Sequence, residues 1–381
     1  MKKIFYWSPY LSNVATIGNV LNSAYSLAKY DKKSFSVYIL DVIGEWKNKK
    51  KELEDINLKY LKVNGLNLNI NLPTSGFLKS RIYSVLIFIF NIVPLFNLLK
   101  KDKPDYLIIH LLTSIPLTLL IFFNFKTKFI LRISGLPKLN FLRKILWKIV
   151  SKKLTLISCP SNETREYLIN SKIFDDNKLV LLHDPIINVS KINKNSREKL
   201  NLENLEKNFF LSIGRLTRQK NHILLIKLFS ILKDKDIDSS LYIMGEGEER
   251  DFLLQEIKRL NLQNKVFLIG HKKNVYPYIM HSKAIISPSL WEDPGAVMIE
   301  AAYCNKIVIS SNCKSGPKEF LMNNRAGYLF ENNNLNSLYE VFSKFLKEEI
   351  EVLNIKKILA KKNSKKYSIY NHYSDLKKLL N

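Results

Sequence analysis

The chain has 381 residues, 46% hydrophobic and 25% charged, with a formal net charge of +26 at pH 7. These numbers describe an ordinary globular protein that is too long for one core and about right for two domains. Its three cysteines are too few and too scattered for a disulfide framework or a zinc site, which favours a reducing cytosol.

The large positive charge has two explanations that the sequence leaves open. It suits an anionic membrane surface or another polyanion, but a Lys-, Asn- and Ile-rich composition along the whole chain also produces it. No zinc finger, RNA-recognition signature or long basic tail accompanies the charge, so nucleic acid is not the expected partner. The N-terminal run is too short for a secretory signal and predicts a first strand instead.

Short β-branched and aromatic runs alternate with helix-length segments throughout the chain. In the first half the predicted strands are KIFYWS, SFSVYIL, YLIIHLL, KFILRIS, LTLISC and KLVLLH. In the second half they are FFLSI, SLYIM, VFLIG, KAIISP, KIVIS and GYLF. These largely apolar runs are typical of parallel strands covered on both faces, so the pattern predicts an α/β protein built from βαβ units.

Two segments of the first half carry unusual apolar surface. Ile82–Leu99 is apolar for nearly the length of a membrane span, and it fits a spanning helix, a buried helix or a helix in a membrane interface. Pro137–Leu154 predicts a basic amphipathic helix carrying a tryptophan. That helix fits an anionic lipid surface or a solvated helix with one face on the sheet.

The polar segment from Asn188 to Asn208 separates two strand–helix series. We therefore predict a domain of residues 1–186, a second domain of residues 187–365, and a C-terminal helix at residues 366–381 that packs back on the first domain. Two such domains usually bind ligand in a cleft between them, outside the carboxyl ends of the strands.

Two loops after strands of the second half contain residues suited to phosphate binding. In FFLSIGRLTRQK a strand runs into Gly214, and Arg215 and Lys220 follow at its carboxyl edge. Arginine offers a fork for phosphate oxygens and lysine a point charge. In LYIMGEGEE, Gly245 allows close approach to a ligand or only makes a turn. The GxxxxGK[ST] pattern of a P-loop is absent, which disfavours ATP hydrolysis.

The stretch SLWEDPGAVMIEAA places Glu292 and Glu300 on either side of a predicted helix start. Asp293 is predicted to cap this helix and Pro294 to take its first position, with Glu300 about two turns in. Eight helical steps separate α-carbons by about 12 Å. A retaining glycosidase needs its carboxyl groups about 5–5.5 Å apart, so the spacing favours two contacts on one elongated ligand.

The motifs GRLTRQK, MGEGEE, FLIGHKKNV, SPSLWEDPGAVMIEA, SSNCKSGPKEF and AGYLF occur in this order. Over residues 205–335 the chain resembles the C-terminal domain of retaining GT-B glycosyltransferases of family 4 (glycosyl transferases group 1), of the bacterial surface-polysaccharide type. The resemblance implies the GT-B fold, with two Rossmann-like domains whose parallel sheets face each other across a cleft. The first half matches mainly by its βαβ pattern.

The resemblance also implies roles for individual residues. Arg215 and Lys220 match the basic pair on the donor diphosphate, Glu292 the glutamate that reaches the donor sugar, and Glu300 the residue that binds the ribose hydroxyls. The implied catalytic residues are Glu292, Arg215 and Lys220, with no metal ion and no cofactor. The implied donor site consists of Gly214, Arg215, Lys220, Gly245, Phe267, Gly270, Glu292, Gly295, Ala296, Val297 and Glu300.

The acceptor side departs from the family pattern. The Gly-Gly loop after the first strand is replaced by SNVATIGNV with Gly18 alone, and the histidine expected after the strand FILRIS is absent, with Ser134 nearby. His110, at the end of a neighbouring strand, is a candidate for the acceptor side or a structural residue. We therefore take Gly18, His110 and Ser134 as the acceptor-side candidates.

Taken together, the sequence predicts a cytoplasmic glycosyltransferase that is peripheral on the inner face of the cell membrane. It would transfer a sugar from a nucleotide sugar, a UDP-hexose or UDP-N-acetylhexosamine, to a lipid-linked glycan or lipopolysaccharide in surface-polysaccharide biosynthesis. Its expected partners are the nucleotide sugar, that acceptor and an anionic membrane surface. The alternatives are another GT-B enzyme, such as a sugar-nucleotide epimerase, and an inactive subunit that still binds sugar nucleotides.

Overall fold

The computed structural model describes residues 1–10, 15–64, 77–198, 209–235 and 237–381. It divides into two compact units, of which the first is Met1–Pro185 together with Ile369–Asn381 and the second is Ile186–Ser368. The sequence predicted these two boundaries after residues 186 and 365, each within three residues of the division seen here. Each unit has a parallel sheet with helices on both faces and its own hydrophobic core.

The sheet of the first unit has the strand order β3-β2-β1-β4-β5-β6-β7, and its strands pair in parallel. Its strands are β1 (Lys2–Trp7), β2 (Phe35–Asp41), β3 (Lys59–Lys62), β4 (Tyr106–Ile109), β5 (Lys128–Arg132), β6 (Leu156–Cys159) and β7 (Leu179–Leu181). Its helices are α1 (Ala15–Tyr30), α2 (Lys50–Asp55), α3 (Phe77–Asp102), α4 (Ser114–Phe122), α5 (Phe141–Val150) and α6 (Asn162–Asn170), with 3₁₀ turns at Lys47–Lys49 and Asp176–Lys178.

The second unit has a parallel sheet of strand order β10-β9-β8-β11-β12-β13. Its strands are β8 (Phe209–Ile213), β9 (Ser240–Met244), β10 (Val266–Leu268), β11 (Ala284–Ser287), β12 (Ile307–Ser311) and β13 (Tyr328–Phe330). Its helices are α7 (Val189–Asn195), α8 (His222–Asp234), α9 (Arg250–Arg259), α10 (Tyr276–His281), α11 (Ala296–Tyr303), α12 (Pro317–Phe320), α13 (Leu335–Lys347) and α14 (Ile350–Ser364), with a 3₁₀ turn at Lys365–Tyr367.

Every strand that the sequence predicted is present, and among the described residues one further strand was not predicted. The missed strand is β3, whose sequence KYLK has an exposed lysine at each end and lies at the edge of the sheet. A central strand such as β4, with YLII wholly buried, gives a clear apolar signal. An edge strand need not be apolar, because only part of its surface is covered.

The last helix, α15 (Ile369–Leu380), belongs to the first unit and packs on α1. The Leu380 carbonyl accepts hydrogen bonds from Tyr106 Oη at 2.9 Å and from Lys2 Nζ at 2.6 Å. Leu376 and Leu380 are buried in the same core as Ile4. The chain therefore leaves the first unit after Pro185 and returns to it at Ile369.

Helix α3 connects β3 to β4 and buries only one of its faces. Asn91 and Leu95 are fully buried, whereas Val85, Ile89 and Val93 are each more than half exposed. The interpretation of Ile82–Leu99 as a wholly buried helix is therefore wrong. By length and composition, Tyr83–Asp102 is also able to cross a membrane, with 22% of its most apolar stretch buried.

Helix α5 is amphipathic, as predicted, and its tryptophan, Trp147, lies on the buried face. Trp147 and Val150 are buried in the core, where Trp147 packs on Phe174. The exposed face carries Phe141, Leu142, Ile145 and Ile149. This helix therefore leaves much of its apolar surface uncovered by the described residues.

Candidate functional site

Three glycines bring the carboxyl ends of β8, β9 and β10 into close contact. The Gly214 amide donates to the Met244 carbonyl, and the Gly245 amide donates to the Gly270 carbonyl. Gly245 has a φ of +150°, and a β-carbon on it would lie 1.8 Å from the Gly214 carbonyl oxygen. No other residue type fits at position 245, because the two loop backbones already touch.

The cationic loop after β8 holds its two candidate residues differently. Arg215 is exposed, and its Nη2 lies 3.3 Å from Gln219 Oε1. Lys220 extends along Gly214, where an added β-carbon would lie 3.1 Å from the lysine Cγ and Cδ. The lysine therefore has a defined position, while the arginine lies at the surface. Helix α8 begins directly after this loop, as predicted.

Lys220 Nζ lies 2.5 Å from Glu292 Oε1, although 72 residues separate them in sequence. Ser289 Oγ donates to the same carboxylate oxygen at 2.6 Å. The side chains of Lys220 and Glu292 are only 19% and 10% exposed, so solvent screens this ion pair weakly. The structure thus joins the GRLTRQK loop and the first glutamate of SLWEDPGAVMIEAA in one cluster.

The start of α11 differs from the sequence prediction. The N-cap is Gly295, with a φ of +89°, and the first helical residue is Ala296. Asp293 and Pro294 both precede Gly295 and lie outside the helix, so the predicted aspartate cap and the predicted first-turn proline are wrong. Gly295 takes the N-cap position because its left-handed backbone favours glycine over aspartate.

The first turn of α11 nevertheless lies next to Glu292. A β-carbon on Gly295 would be 3.6 Å from Glu292 Cγ. Gly295 is buried, while Ala296 and Val297 at the start of the helix are half-buried. The positive dipole end of the helix is thus beside the Lys220–Glu292 pair, an arrangement suited to an anionic group.

Glu300 is the fifth residue of α11, closer to the helix start than the predicted two turns. Its Oε1 accepts a hydrogen bond from Tyr276 Oη at 2.7 Å. Burial raises the pKa of Glu300, and the hydrogen bond from Tyr276 partly opposes this by favouring the ionised form. Burial also raises the pKa of Tyr276, which therefore stays a hydrogen-bond donor.

The remaining candidate residues lie at the end of β10. The Phe267 ring stacks on Tyr242, with centroids 4.9 Å apart. Gly270 has a φ of +69°, and a β-carbon there would lie 2.9 Å from Glu246 Oε1. Phe267 and Gly270 are both half-buried. Gly270 joins the glycine contact through its carbonyl.

Sequence analysis missed three residues that shape this site. Ser289 and Tyr276 bind the two glutamates, and a β-carbon on Gly316 would lie 2.7 Å from the Pro294 backbone. Ser289 lies three residues before Glu292, a spacing at which a loop serine reaches a carboxylate, and this is a usable signal. Tyr276 has no local signal, because its contact with Glu300 forms only through packing of α10 against the sheet.

The three acceptor-side candidates are all in the first unit, and two of them share a pocket. His110 and Ser134 line a pocket of about 500 Å³ at the ends of β4 and β5. Gly18 does not line it and instead lies exposed in the first turns of α1, with open space around its α-carbon. The predicted loop around Gly18 is therefore a helix from Ala15 onward.

A buried polar network lies next to that pocket. Arg132 donates to the Leu182 carbonyl and forms an ion pair with Asp184, which also accepts from Asn19 Nδ2 at 2.8 Å. Helix α15 contributes His372, whose ring nitrogens lie 2.7 Å from Ser23 Oγ and 2.7 Å from the His183 carbonyl. Burial lowers the pKa of His372 to about 3, so it is neutral at pH 7.

Part of the chain is similar in sequence to known glycosyltransferases. Residues 193–366 match the family model described as "Glycosyl transferases group 1". An uncharacterized glycosyltransferase of Methanocaldococcus jannaschii is 34% identical over 59% of this chain and 60% of its own length. The Campylobacter jejuni N-acetylgalactosamine-N,N'-diacetylbacillosaminyl-diphospho-undecaprenol 4-alpha-N-acetylgalactosaminyltransferase is 30% identical over 60% of this chain and 62% of its own length. The chain thus spans about three-fifths of the length of the curated relatives it matches.

The fold is also that of solved glycosyltransferase structures. A mutant of Staphylococcus aureus TarM, in complex with fondaparinux, alpha-GlcNAc-glycerol and UDP, superposes with a TM-score of 0.75. The superposition covers 100% of both chains at 17% identity, so it shows the fold alone. With two parallel, helix-covered sheets, the fold is GT-B, as the sequence predicted.

Proposed function

We propose that the protein, whose residues 193–366 match the glycosyl transferases group 1 model, is a retaining glycosyltransferase of family 4. It transfers a sugar from a nucleotide sugar to a lipid-linked glycan or lipopolysaccharide acceptor in surface-polysaccharide biosynthesis. The observation that carries this proposal is the cluster of Lys220, Glu292 and the start of α11 at the carboxyl edge of the second sheet.

The cluster suits the departure of a nucleoside diphosphate from a sugar. When the bond from the anomeric carbon to the β-phosphate oxygen breaks, negative charge develops on the diphosphate. Lys220, Arg215 and the amides at the start of α11 stabilise that charge, and Glu292 binds the donor sugar beside it. In this proposal the protein's own cations and amides serve the diphosphate, and no metal ion is required.

Retention follows if the acceptor hydroxyl attacks from the face that the diphosphate leaves. The acceptor oxygen forms the new bond to the anomeric carbon, and its proton passes to the departing β-phosphate oxygen. No strong protein base is then needed, which agrees with carboxylates that are engaged by Ser289, Lys220 and Tyr276. Glu292 orients the sugar in this mechanism.

We propose UDP as the nucleotide of the donor, carrying a hexose or an N-acetylhexosamine. Glu300 accepts hydrogen bonds from the ribose hydroxyls, and the Phe267–Gly270 turn lies beside the base. The half-buried glycine contact at Gly214, Gly245 and Gly270 leaves backbone groups close to the ligand. The TarM mutant of the same fold was solved with UDP.

The lipid-linked acceptor is supported by an exposed surface of the first unit, which we call the apolar face. Helix α4 packs against both α3 and α5, so the three helices form a continuous surface. Its members are large apolar side chains that are exposed by 40% or more, namely Val85, Leu86, Ile89, Phe90, Val93, Phe122, Phe123, Phe141, Leu142, Ile145 and Ile149. Exposed apolar surface of this extent marks an interaction site.

Basic residues adjoin the apolar face and indicate that its partner is anionic. Lys100, Lys144 and Lys148 are exposed on α3 and α5, and further lysines follow each helix. A bilayer with anionic headgroups offers both an apolar interior and negative charge, so it matches this surface. We therefore propose that the protein lies on the inner face of the cell membrane. The name of the C. jejuni relative includes a diphospho-undecaprenol compound, which is a lipid-linked one.

A ligand screen tests the donor proposal. UDP-, GDP- and ADP-sugars are compared by thermal shift, and a UDP-sugar is expected to stabilise the protein most. Transfer to a lipid-linked acceptor is then followed by product analysis. Turnover of the UDP-sugar into an isomer without any acceptor would identify an epimerase, and UDP binding without transfer to any acceptor would identify an inactive subunit.

Liposome flotation tests the membrane proposal. Phe141→Glu combined with Ile149→Glu is expected to reduce flotation with vesicles containing anionic lipid at least tenfold, because two charges enter the apolar face. The matched control is Phe252→Glu, since Phe252 is 46% exposed on α9 of the second unit. Equal flotation of the wild type and the double variant, with full activity on a soluble acceptor, would overturn the proposal.

A further inference from the structure

The side chain of Gln219 joins two loops of the second unit that carry different parts of the candidate site. Gln219 lies in the cationic loop after β8, between Arg215 and Lys220. The loop that it reaches follows β11 and contains Trp291 and Glu292. The proposed function assigns no role to Gln219, although its side chain contacts a residue that is 72 positions away in the sequence.

Both ends of the Gln219 carboxamide make a hydrogen bond. Its Oε1 accepts from Arg215 Nη2 at 3.3 Å, and its Nε2 donates to the Trp291 carbonyl at 3.0 Å. The backbone carbonyl of Gln219 also accepts from the Leu290 amide at 2.8 Å. A carboxamide can accept from a guanidinium and donate to a carbonyl at the same time, and the asparagine side chain is one methylene shorter. Glutamine is therefore well suited to link the two loops.

Gln219 orients Arg215 without neutralising its charge. The carboxamide is neutral, and among the described residues it is the only side chain that is hydrogen-bonded to the Arg215 guanidinium. Lys220, by contrast, is paired with the Glu292 carboxylate at 2.5 Å. An arginine that is held by a neutral group keeps its charge for the oxygens of a diphosphate.

The segment Ser289–Glu292, which we call the glutamate segment, lies between β11 and α11 and depends on neighbouring loops for its position. The backbone of Trp291 pairs with that of Lys314, after β12. Asn332, after β13, donates from Nδ2 to another carbonyl of the segment at 3.0 Å. These two contacts tie the glutamate segment to loops without a candidate donor-site residue. Gln219 ties it to the cationic loop.

We propose that Gln219 is a positioning residue for donor recognition. It holds the glutamate segment against the cationic loop, so that Glu292 meets the donor sugar in the same geometry in which Arg215 and Lys220 meet the diphosphate. A nucleotide sugar that finds both sets of contacts already in place binds more tightly, because less loop and side-chain freedom is lost on binding. The inference rests on the proposed function and adds a residue that acts through Glu292 and Arg215.

The test compares two variants of the full-length chain. Gln219→Met keeps the length of the side chain and removes both carboxamide hydrogen bonds. Asn332→Leu is the matched control, because it removes a hydrogen bond of the same length to the neighbouring carbonyl of the glutamate segment and no contact with the cationic loop. Calorimetry measures the affinities for UDP, UDP-glucose and UDP-N-acetylglucosamine, and thermal unfolding shows that each variant is folded. The sugar ratio is the affinity for the tighter UDP-sugar divided by the affinity for UDP.

Gln219→Met is expected to lower the sugar ratio about fivefold, the factor for one ordinary hydrogen bond, while Asn332→Leu leaves it nearly unchanged. When Glu292→Gln has already removed the carboxylate, Gln219→Met is expected to have little further effect, because both substitutions act on the same sugar contact. A sugar ratio in Gln219→Met that is no lower than in Asn332→Leu would overturn the proposal. Full additivity of Gln219→Met with Glu292→Gln would also overturn it.

Trp291 provides a spectroscopic measurement of the same link. Its side chain is 52% exposed, and the other three tryptophans of the chain are buried, namely Trp7, Trp46 and Trp147. Quenching of fluorescence by neutral acrylamide therefore reports mainly on Trp291. Saturating UDP is expected to change this quenching in the wild type and in Asn332→Leu, because the Gln219 carboxamide connects Arg215 to the Trp291 carbonyl. The change is expected to be lost in Gln219→Met, and its persistence there would contradict the link.

The same measurements separate a failure of this inference from a failure of the proposed function. A wild type that binds neither UDP nor either UDP-sugar would refute the proposed function itself. A wild type that binds them, with a sugar ratio that Gln219→Met leaves intact, would refute only the positioning role of Gln219.

Discussion

Lys220 and Glu292 form an ion pair with Nζ and Oε1 2.5 Å apart. In the proposed function, Lys220 contacts the diphosphate of a nucleotide sugar and Glu292 contacts its sugar. Each charge neutralises the other, and Ser289 Oγ donates to the same carboxylate oxygen of Glu292. Binding of a diphosphate introduces negative charge beside Glu292, so the pair must redistribute its contacts.

This pair predicts opposite effects of two substitutions on UDP affinity. Lys220→Ala is expected to weaken UDP binding by about 1–3 kcal/mol, since it removes a charged hydrogen-bond donor. Glu292→Gln is expected to leave UDP affinity equal or higher, because it removes a negative charge near the diphosphate, while transfer falls by at least about 10²-fold. Calorimetry with UDP and transfer assays measure the two effects. A loss of UDP affinity in Glu292→Gln as large as that in Lys220→Ala would contradict this account.

Glu300 offers a test of ribose recognition. Glu300→Ala is expected to weaken UDP binding by about 1–3 kcal/mol, because a buried carboxylate acceptor is lost. The effect on 2′-deoxy-UDP should be clearly smaller, since one of the two hydroxyl donors is already missing. The comparison of the two ligands, each with the wild type and the variant, isolates the ribose contact. Equal losses for both ligands would mean that Glu300 does not bind this hydroxyl.

The Tyr276→Phe substitution is expected to shift the pH dependence of UDP binding. Burial raises the pKa of Glu300, and the Tyr276 hydrogen bond lowers it, so removal of the hydroxyl raises it further. An acid with a raised pKa becomes protonated at a higher pH, and the ionised acceptor is lost as the pH falls through that pKa. UDP affinity of Tyr276→Phe should therefore decline at a higher pH than that of the wild type. Glu300→Gln, measured at each pH, corrects for titration of UDP itself.

Gly245 and Gly18 form a matched pair for glycine-to-alanine substitution. Gly245→Ala places a β-carbon 1.8 Å from the Gly214 carbonyl oxygen at a φ of +150°, and it is expected to destabilise the second unit by on the order of 2–3 kcal/mol. Gly18→Ala meets open space in α1 and is expected to stabilise the first unit by about 0.5–1 kcal/mol. Scanning calorimetry measures both, and an unchanged Gly245→Ala would contradict the backbone contact.

We expect the first unit to lose stability as the pH falls, because His372 is buried in its neutral form. Burial, aided by the Arg132 cation, lowers the pKa of His372 to about 3, so the unfolded chain takes up the proton first as the pH falls. Its stabilising contribution is present above about pH 6.5 and is lost toward pH 3, at most about 1.4 kcal/mol per pH unit. Urea unfolding of the wild type and His372→Gln, followed by tryptophan fluorescence, measures the difference. A difference that stays constant across this pH range would contradict a neutral buried His372.

The sequence determined the fold class and the order of the site motifs. Apolar runs separated by helix-length segments predicted the central parallel strands, because strands covered on both faces must be apolar. The edge strand β3 was not predicted, because its sequence KYLK has an exposed lysine at each end and is not apolar. The cationic loop before Asn221 and the glutamates at 292 and 300 were visible as short motifs, since each depends on a strand end and the few residues after it.

Tertiary structure alone decided which side chains meet. The contacts of Lys220 with Glu292 and of Tyr276 with Glu300 join segments 72 and 24 residues apart, and no local pattern records them. Packing also decided that Trp147 enters the core while Phe141 stays exposed, because an amphipathic helix carries no signal for which apolar side chains its neighbours cover. Local propensity acts over a few residues, whereas burial and pairing depend on the whole sheet.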